Sequence, residues 1–431
     1  MLTEVFVPGN RWDLLAPYPV PRPQVSVVVT HYEQPDQLAR TWAALCAQTL
    51  PPAEVVITDD GSAEPPRAPA GGPPVRVVTQ PDLGFRAAAA RNAGARTARG
   101  EVLVFLDADT VPGPGFVEAM TRRVAVCPDV LAVGRRRHAD LAATPVGSDP
   151  AAAPPLPDPA WLRDAYTASR DLLDADGRSF RFVISAVLAC RRSLFDDLGG
   201  FDERFVGYGG EDWDLAYRAW NAGAVLVHEP DAVAWHDGPD WAGRDGGAKD
   251  LESVRLAALV PEPVTRGVAL PGGLPDVLVD LACDGVPATV RTVHALLAQD
   301  HRDLRVRLPG PVDPLLVQLY GSAVQQDAWS ADQRRRARAV LTARAPLPAG
   351  ALTTAMGALV DDDLARVVIA CGGDPVAEIE STRARGRIRR WAHRLPADVV
   401  RGSFGCAVVD AGPAPRTSGG LDGYFARLAR P

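Results

Sequence analysis

Hydrophobic positions along the chain alternate between two rhythms. Val25-Ser26-Val27-Val28-Val29-Thr30 is a β-branched run that predicts a buried parallel strand. Pro35-Asp36 then opens a helix with Leu38, Trp42 and Leu45 on one face. Val55–Ile57 and Val75–Val78 predict two further strands, Arg86–Ala98 an Ala- and Arg-rich helix, and Val102–Leu106 a fourth strand. Strands alternating with helices imply an α/β fold on a mostly parallel, doubly wound sheet. Ligands of such sheets bind beyond the carboxyl ends of the strands. Asp59-Asp60-Gly61 and Asp107-Ala108-Asp109 fall at two of those ends.

The pattern then loosens. Residues 1–23 are Pro-rich and read as an extended strap, and Ala139–Pro159 as a long loop. Phe182–Leu188 resumes a strand. Gly209-Gly210-Glu211-Asp212-Trp213-Asp214 leads into a helix, Leu215–Ala222, stopped by Gly223. Val225–Val227 and Ala232–Trp235 are short strands ending near His236. A Pro/Gly-rich linker over 261–275 separates a first domain, 24–260, from a second, 276–431. The second begins as a worn copy of the first: Asp276–Val279 and Val290–Gln299 parallel Val25–Val29 and Ala39–Gln48. Its carboxylates are missing. Gly310-Pro311 stands in place of Asp59-Asp60. Arg366–Ala370 is matched to Val102–Leu106, which puts Cys371-Gly372-Gly373 opposite Asp107-Ala108-Asp109.

Composition narrows the class. With 47% hydrophobic residues in 431, there is enough apolar side chain to bury a core, so global disorder is excluded. A net charge of −7 argues against a nucleic-acid partner. Six scattered cysteines without a CxxC favour neither a disulfide framework nor a zinc site and fit a reducing cytosol. No apolar run approaches the roughly 20 residues of a membrane span, and no secretory signal pattern is seen. A cytoplasmic location is therefore expected. Arginines between Arg383 and Arg394 leave open a peripheral contact with the inner membrane face. The sole lysine is Lys249, which reads as the codon signature of a GC-rich, actinobacterial genome.

Several clusters could carry chemistry. Asp107-x-Asp109 at a strand end suits a hard divalent cation that shares substrate phosphates. Asp59 and Asp60 could read a base or ribose, with Tyr32 stacking on the base. Arg86 and Arg91 place guanidinium forks at a helix start, a geometry that matches phosphate. Glu211 and Asp212 sit in a first helical turn, where acids favour the dipole and where one could act as a general base. Gly210 would let substrate approach the backbone, and Trp213 could be a sugar platform or a core residue. His236 could be a third metal ligand.

Taken in order, these segments resemble the family 2 glycosyltransferases of GT-A fold. The likeness runs from Val25–Tyr32 through Asp59–Ser62, Gly84–Arg86, Ala90–Gly94, Phe105–Asp109, Arg192–Glu203 and Gly209–Asp212 to about Gly238. It implies an inverting transferase, hexosyl or N-acetylhexosaminyl, with a nucleoside-diphosphate sugar, UDP-linked, as donor. Thr30 and Tyr32 would line the base pocket and Asp60 would read the base. Arg86 would approach the diphosphate, and Asp107 the ribose or the metal's water shell. Asp109 would bind Mn²⁺ or Mg²⁺, completed by His236. Asp212 would be the base, with Glu211 holding hydroxyls. The acceptor would be a hydroxyl on a glycan, a lipid-linked sugar or a small molecule. The family usually has Asn where Glu33 stands. The second domain would be an inactive GT-A-like copy that packs on the first or mediates a homodimer. The alternatives are a non-catalytic nucleotide-sugar-binding protein and a sugar nucleotidyltransferase. The latter usually needs a Gly-rich loop and a lysine after strand one.

Overall fold

A computed structural model describes residues 2, 4–239, 246–267, 273–308, 310, 312–415 and 420–428. Residues 240–245 of the glycine-rich stretch before Lys249, 268–272 of the expected linker, and Pro311 lie outside the described residues. The chain divides into two compact units. The first is Met1–Trp220 with Ala224–Leu256; the second is Asn221–Gly223 with Ala257–Pro431.

In the first unit the elements are β1 (Val25–His31), α1 (Pro35–Cys46), β2 (Glu54–Asp59), β3 (Val75–Thr79), α2 (Ala87–Thr97), β4 (Val102–Asp107), β5 (Thr110–Pro112) and α3 (Phe116–Thr121). They continue as β6 (Val130–Ala139), β7 (Pro155–Leu156), α4 (Ala160–Ala168), β8 (Val187–Arg191), α5 (Arg192–Leu198), α6 (Glu211–Asn221), β9 (Val225–Asp237) and α7 (Gly246–Leu259). The sheet order is β3-β2-β1-β4-β8-β6-β9-β5, with β7 on β6. Strands β3, β2, β1 and β4 are parallel, whereas β8 is antiparallel to both β4 and β6. The sheet is thus mixed α/β rather than uniformly doubly wound. Val27, Val28, Val55, Val56, Val104 and Phe105 are fully buried, as β-branched strands covered on both faces require. The two short strands expected near His236 are one strand, β9, whose pairing with β6 shifts register between Gly134 and Arg135. Trp12–Leu15 of the N-terminal segment forms a 3-10 turn, with Leu15 buried.

The second unit has α8 (Pro263–Arg266), β10 (Val277–Leu281), α9 (Val286–Leu297), β11 (Leu304–Arg307), α10 (Pro314–Tyr320), β12 (Val324–Gln325), α11 (Ala331–Arg336) and β13 (Ala339–Ala343). After these come α12 (Ala351–Asp361), β14 (Arg366–Cys371), β15 (Asp374–Ser381), α13 (Thr382–Trp391), α14 (Ala397–Gly402), β16 (Cys406–Asp410) and α15 (Leu421–Leu428). Its sheet runs β12-β11-β10-β13-β15-β14-β16. Leaving aside the short β5 and β7, the first sheet follows the order third, second, first, fourth, sixth, fifth, seventh by appearance. The second sheet has the same order and the same strand directions.

This correspondence corrects the sequence register. The counterpart of β4 is β13, not Arg366–Ala370. The latter is β14, which corresponds to β6. Both are short apolar runs, and periodicity cannot tell one buried strand from another. Ala343-Arg344-Ala345 therefore falls where the first unit has Asp107-Ala108-Asp109. The arginines of α13 are also not a uniformly solvated face. Arg383 and Arg387 are buried, with Arg383 Nε donating to Asp363 at 3.1 Å, while Arg385 is exposed.

Candidate active site

The site grows from the carboxyl ends of β1, β2 and β4. Thr30 sits beside Asp107 in the sheet register, and the Ala108 N–H donates to the Thr30 carbonyl at 2.9 Å. The Thr30 hydroxyl is buried with no hydrogen-bond partner among the described residues. Asp60 is buried as well. Its carboxylate accepts from Gln80 Nε2 at 2.5 Å and from the Arg86 N–H at 2.7 Å, so it ties the end of β2 to the start of α2. Tyr32 is half-exposed beside them, its hydroxyl 3.5 Å from Asp82. Arg86 donates from Nη2 to the Pro81 carbonyl at 2.5 Å.

Asp59 is placed differently from its neighbour. It is fully buried. Ser62 donates to it through Oγ at 2.6 Å and through N–H at 3.1 Å, and His31 Nδ1 lies 2.9 Å away. With both oxygens occupied inside the turn, Asp59 shapes the loop and does not face the cleft. Glu33 has a left-handed backbone, φ 52°, a conformation that Asn tolerates better than Glu. Its carboxylate accepts from the Ala63 N–H at 2.6 Å.

Arg91, expected as a phosphate ligand, is instead a buried clamp. Nη2 donates to Asp107 at 2.8 Å and Nη1 to Glu211 at 2.8 Å. One guanidinium fork therefore joins the Asp-x-Asp strand end to the first turn of α6. Burial disfavours the charge on Arg91, but Asp107 and Glu211 outweigh it, and its pKa rises above the ordinary value. Asn92, one residue on, holds the Gly-Gly-Phe segment: Nδ2 donates to the Phe201 carbonyl and Oδ1 accepts from the Phe201 N–H, both at 2.9 Å.

Asp109 faces His236, with 3.6 Å between Oδ2 and Nε2, and accepts from Gln34 Nε2 at 3.2 Å. No group of three or more His, Cys, Asp or Glu side chains suited to a metal is gathered among the described residues. The pair Asp109–His236 does fit a divalent ion of the kind that takes one or two protein ligands and completes its shell from water and substrate phosphates.

Between these elements lies a cleft of about 300 Å³. Its walls include Arg91, Asp107, Gly210, Glu211, Asp212 and Trp213. Gly210 has φ +89°, and a Cβ there would come within 2.7 Å of Phe205, so only glycine fits this entry to α6. Burial, and then the Glu211 charge, push the Asp212 carboxyl up to about 7, against the pull of Arg91. Helix α7 supplies two residues of the cleft that the motifs did not reveal as a pair, Lys249 and Glu252. Burial and Glu211 raise the Glu252 pKa too. Arg136, Trp161 and Tyr208 complete the rim. Arg136 belongs to the run Arg135-Arg136-Arg137, which the sequence alone offers as a surface or acceptor-side basic patch, whereas Trp161 and Tyr208 stand in no pattern that marks a site.

Residues 26–199 match glycosyl transferase family 2, and residues 175–232 match the N-terminal domain of galactosyltransferase. An N-acetylglucosaminyl-diphospho-decaprenol L-rhamnosyltransferase of Mycobacterium tuberculosis is 30% identical over 245 residues, 51% of this chain and 78% of the relative. The chain belongs to glycosyl transferase family 2. Also similar is validoxylamine A glucosyltransferase of Streptomyces hygroscopicus subsp. limoneus, 33% identical over 215 residues, 46% of this chain. The match spans only 48% of that relative's length. Among solved structures, GalNAc-T7 with UDP, GalNAc and Mn²⁺ is similar at 18% identity and a TM-score of 0.42, over 57% of this chain and 49% of that one. No helix among the described residues is long and apolar enough to cross a membrane.

Proposed function

We propose that this family 2 chain is an inverting, metal-dependent glycosyltransferase that moves a sugar from a nucleoside diphosphate, UDP in the simplest case, to an acceptor hydroxyl. The observation that carries the reading is the Arg91 fork. It binds Asp107 and Glu211 at once, so the donor end of the sheet and the acid-bearing turn of α6 border one cleft.

The chemistry follows from the roles available. Thr30, Tyr32 and Asp60 border the base, and Arg86 lies toward the diphosphate. Asp109 and His236 would hold Mn²⁺ or Mg²⁺, which neutralises charge on the departing nucleoside diphosphate. Asp212 accepts the acceptor's hydroxyl proton. The oxygen forms a bond to the anomeric carbon from the face opposite the diphosphate, while the carbon–oxygen bond to the diphosphate breaks and its electrons stay with the phosphate. A single displacement inverts the anomeric centre. Arg91 orients Glu211 and Asp107, and Trp213 and Gly210 form the acceptor wall.

Nucleotide sugars are screened by thermal shift with Mn²⁺, and transfer is then measured with the stabilising donor. Asp109→Ala should abolish metal-dependent stabilisation, and Asp212→Asn should keep donor binding but lower transfer by roughly 10²–10⁴-fold. Undiminished transfer in both variants would overturn the assignment.

A further inference from the structure

The first unit holds a second cavity, of about 220 Å³, whose walls include Arg135, Arg136, Arg163, Tyr166, Asp171 and His228. Arg136 also borders the transfer cleft, so the two cavities meet at one guanidinium. Helix α4 serves both, with Trp161 on the cleft and Arg163 and Tyr166 on the second cavity.

The wall of this cavity is built with effort. Arg170, Asp171 and Leu172 all have left-handed backbones, with φ of 52°, 58° and 65°. Residues with a Cβ disfavour that conformation, and three in a row persist only where the surroundings enforce it. Asn10 enforces it here, donating from Nδ2 to the carbonyls of Leu172 at 2.6 Å and Leu226 at 2.8 Å. The turn delivers the Asp171 carboxylate to His228 Nδ1 at 2.7 Å. The His228 ring stacks on Tyr166, with centroids 3.7 Å apart and planes within 6°. Nε2 of this buried histidine has no hydrogen-bond partner among the described residues.

The carboxylates near the cavity are already engaged. Asp171 is held by His228. Asp158 accepts from the His138 N–H at 3.0 Å and faces Arg137 at 3.5 Å. Arg163 pairs with Asp164 at 2.9 Å, but both are about two-thirds exposed, and such a pair exchanges readily for a better ligand. Arg135 is exposed and has no carboxylate partner among the described residues. The guanidinium forks of Arg135 and Arg163 match the oxygens of a phosphate.

We propose that this cavity is an acceptor subsite for a phosphate group, held by Arg135, Arg136 and Arg163 above the Asp171–His228–Tyr166 wall. The acceptor role rests on the transfer reading above. A molecule anchored there reaches the cleft past Arg136 and presents a hydroxyl to Asp212.

The test is calorimetric titration of the full chain with inorganic phosphate while UDP and Mg²⁺ are present in excess to fill the donor site. One saturable phosphate site is expected. The double variant Arg135→Ala, Arg163→Ala should weaken it roughly tenfold or more, because two charge-assisted contacts are lost, and should leave UDP affinity unchanged. Absence of saturable phosphate binding, or binding indifferent to the double variant, overturns the site. Competition by glycerol 3-phosphate supports a soluble phosphorylated acceptor. Competition by phosphatidylglycerol vesicles alone supports a lipid-borne one. If phosphate binds as expected but no nucleotide sugar is bound or turned over, the transfer reading fails, and with it the acceptor role.

Discussion

At the scale of single residues, protonation of Asp212 sets the behaviour of the site. Its carboxyl rises to about 7 because burial and the Glu211 charge both disfavour ionisation. The base proposed at this position must be ionised, so kcat/KM should climb about tenfold per pH unit below 7 and level off above it. The stability effect has the opposite sign. The folded protein holds this proton more tightly than the unfolded chain does. The group's contribution is therefore full below the ordinary carboxyl range near pH 4, and is lost as pH rises through about 7. Asp212→Asn should thus match the parent's Tm most closely below about pH 4 and exceed it by a growing margin up to pH 8. A pH-independent Tm difference would show that burial does not govern this group. These residues differ in how far their sequence neighbourhood announced them. Asp107, Asp109 and Asp212 stand in short local patterns. That Asp59 would turn inward while Asp60 points to α2 depends on His31 and Ser62, which no pattern of neighbours reveals.

At the scale of elements, α2 makes the site possible by lying very close to the sheet. A methyl on Gly94 would overlap side-chain carbons of both Val28 and Thr58. The same helix carries Arg91 to Asp107 and Glu211, and Asn92 to Phe201. Gly94→Ala should force α2 outward at a cost of about 1–3 kcal/mol. Transfer should fall with it, because the Arg91 fork cannot span both carboxylates from a shifted axis. A Tm loss with unaltered kcat would separate helix position from clamp geometry. The strand-helix alternation around α2 was legible because buried parallel strands write themselves as β-branched runs. Helix α7 was not, since Leu251 and Val254 are exposed and no apolar stripe marks its face. Its contribution, Glu252 beside Glu211, exists only through packing.

At the scale of the molecule, two sheets share one strand order while one unit holds the acids. The level of β1 occupied by Thr30 pairs with Asp107; at the matching level of β10, Leu281 pairs with Ala343. Asp280, one residue before that level, is spent on packing: it accepts from Arg307 Nε at 2.6 Å and from Trp329 Nε1 at 2.9 Å, and Trp329 is buried. Asp280→Ala leaves the indole N–H and the guanidinium without their acceptor, which costs about 1–3 kcal/mol. For a unit of this size that corresponds to a Tm lower by roughly 2–8 °C. Transfer at 25 °C should be unchanged, because the proposed reaction draws on Asp107, Asp109 and Asp212 in the first unit. Asp109→Ala should show the converse, a native Tm without metal and no residual turnover. Loss of transfer in a folded Asp280→Ala protein would mean that the second unit takes part in the chemistry, and the division of labour between the two sheets would have to be abandoned.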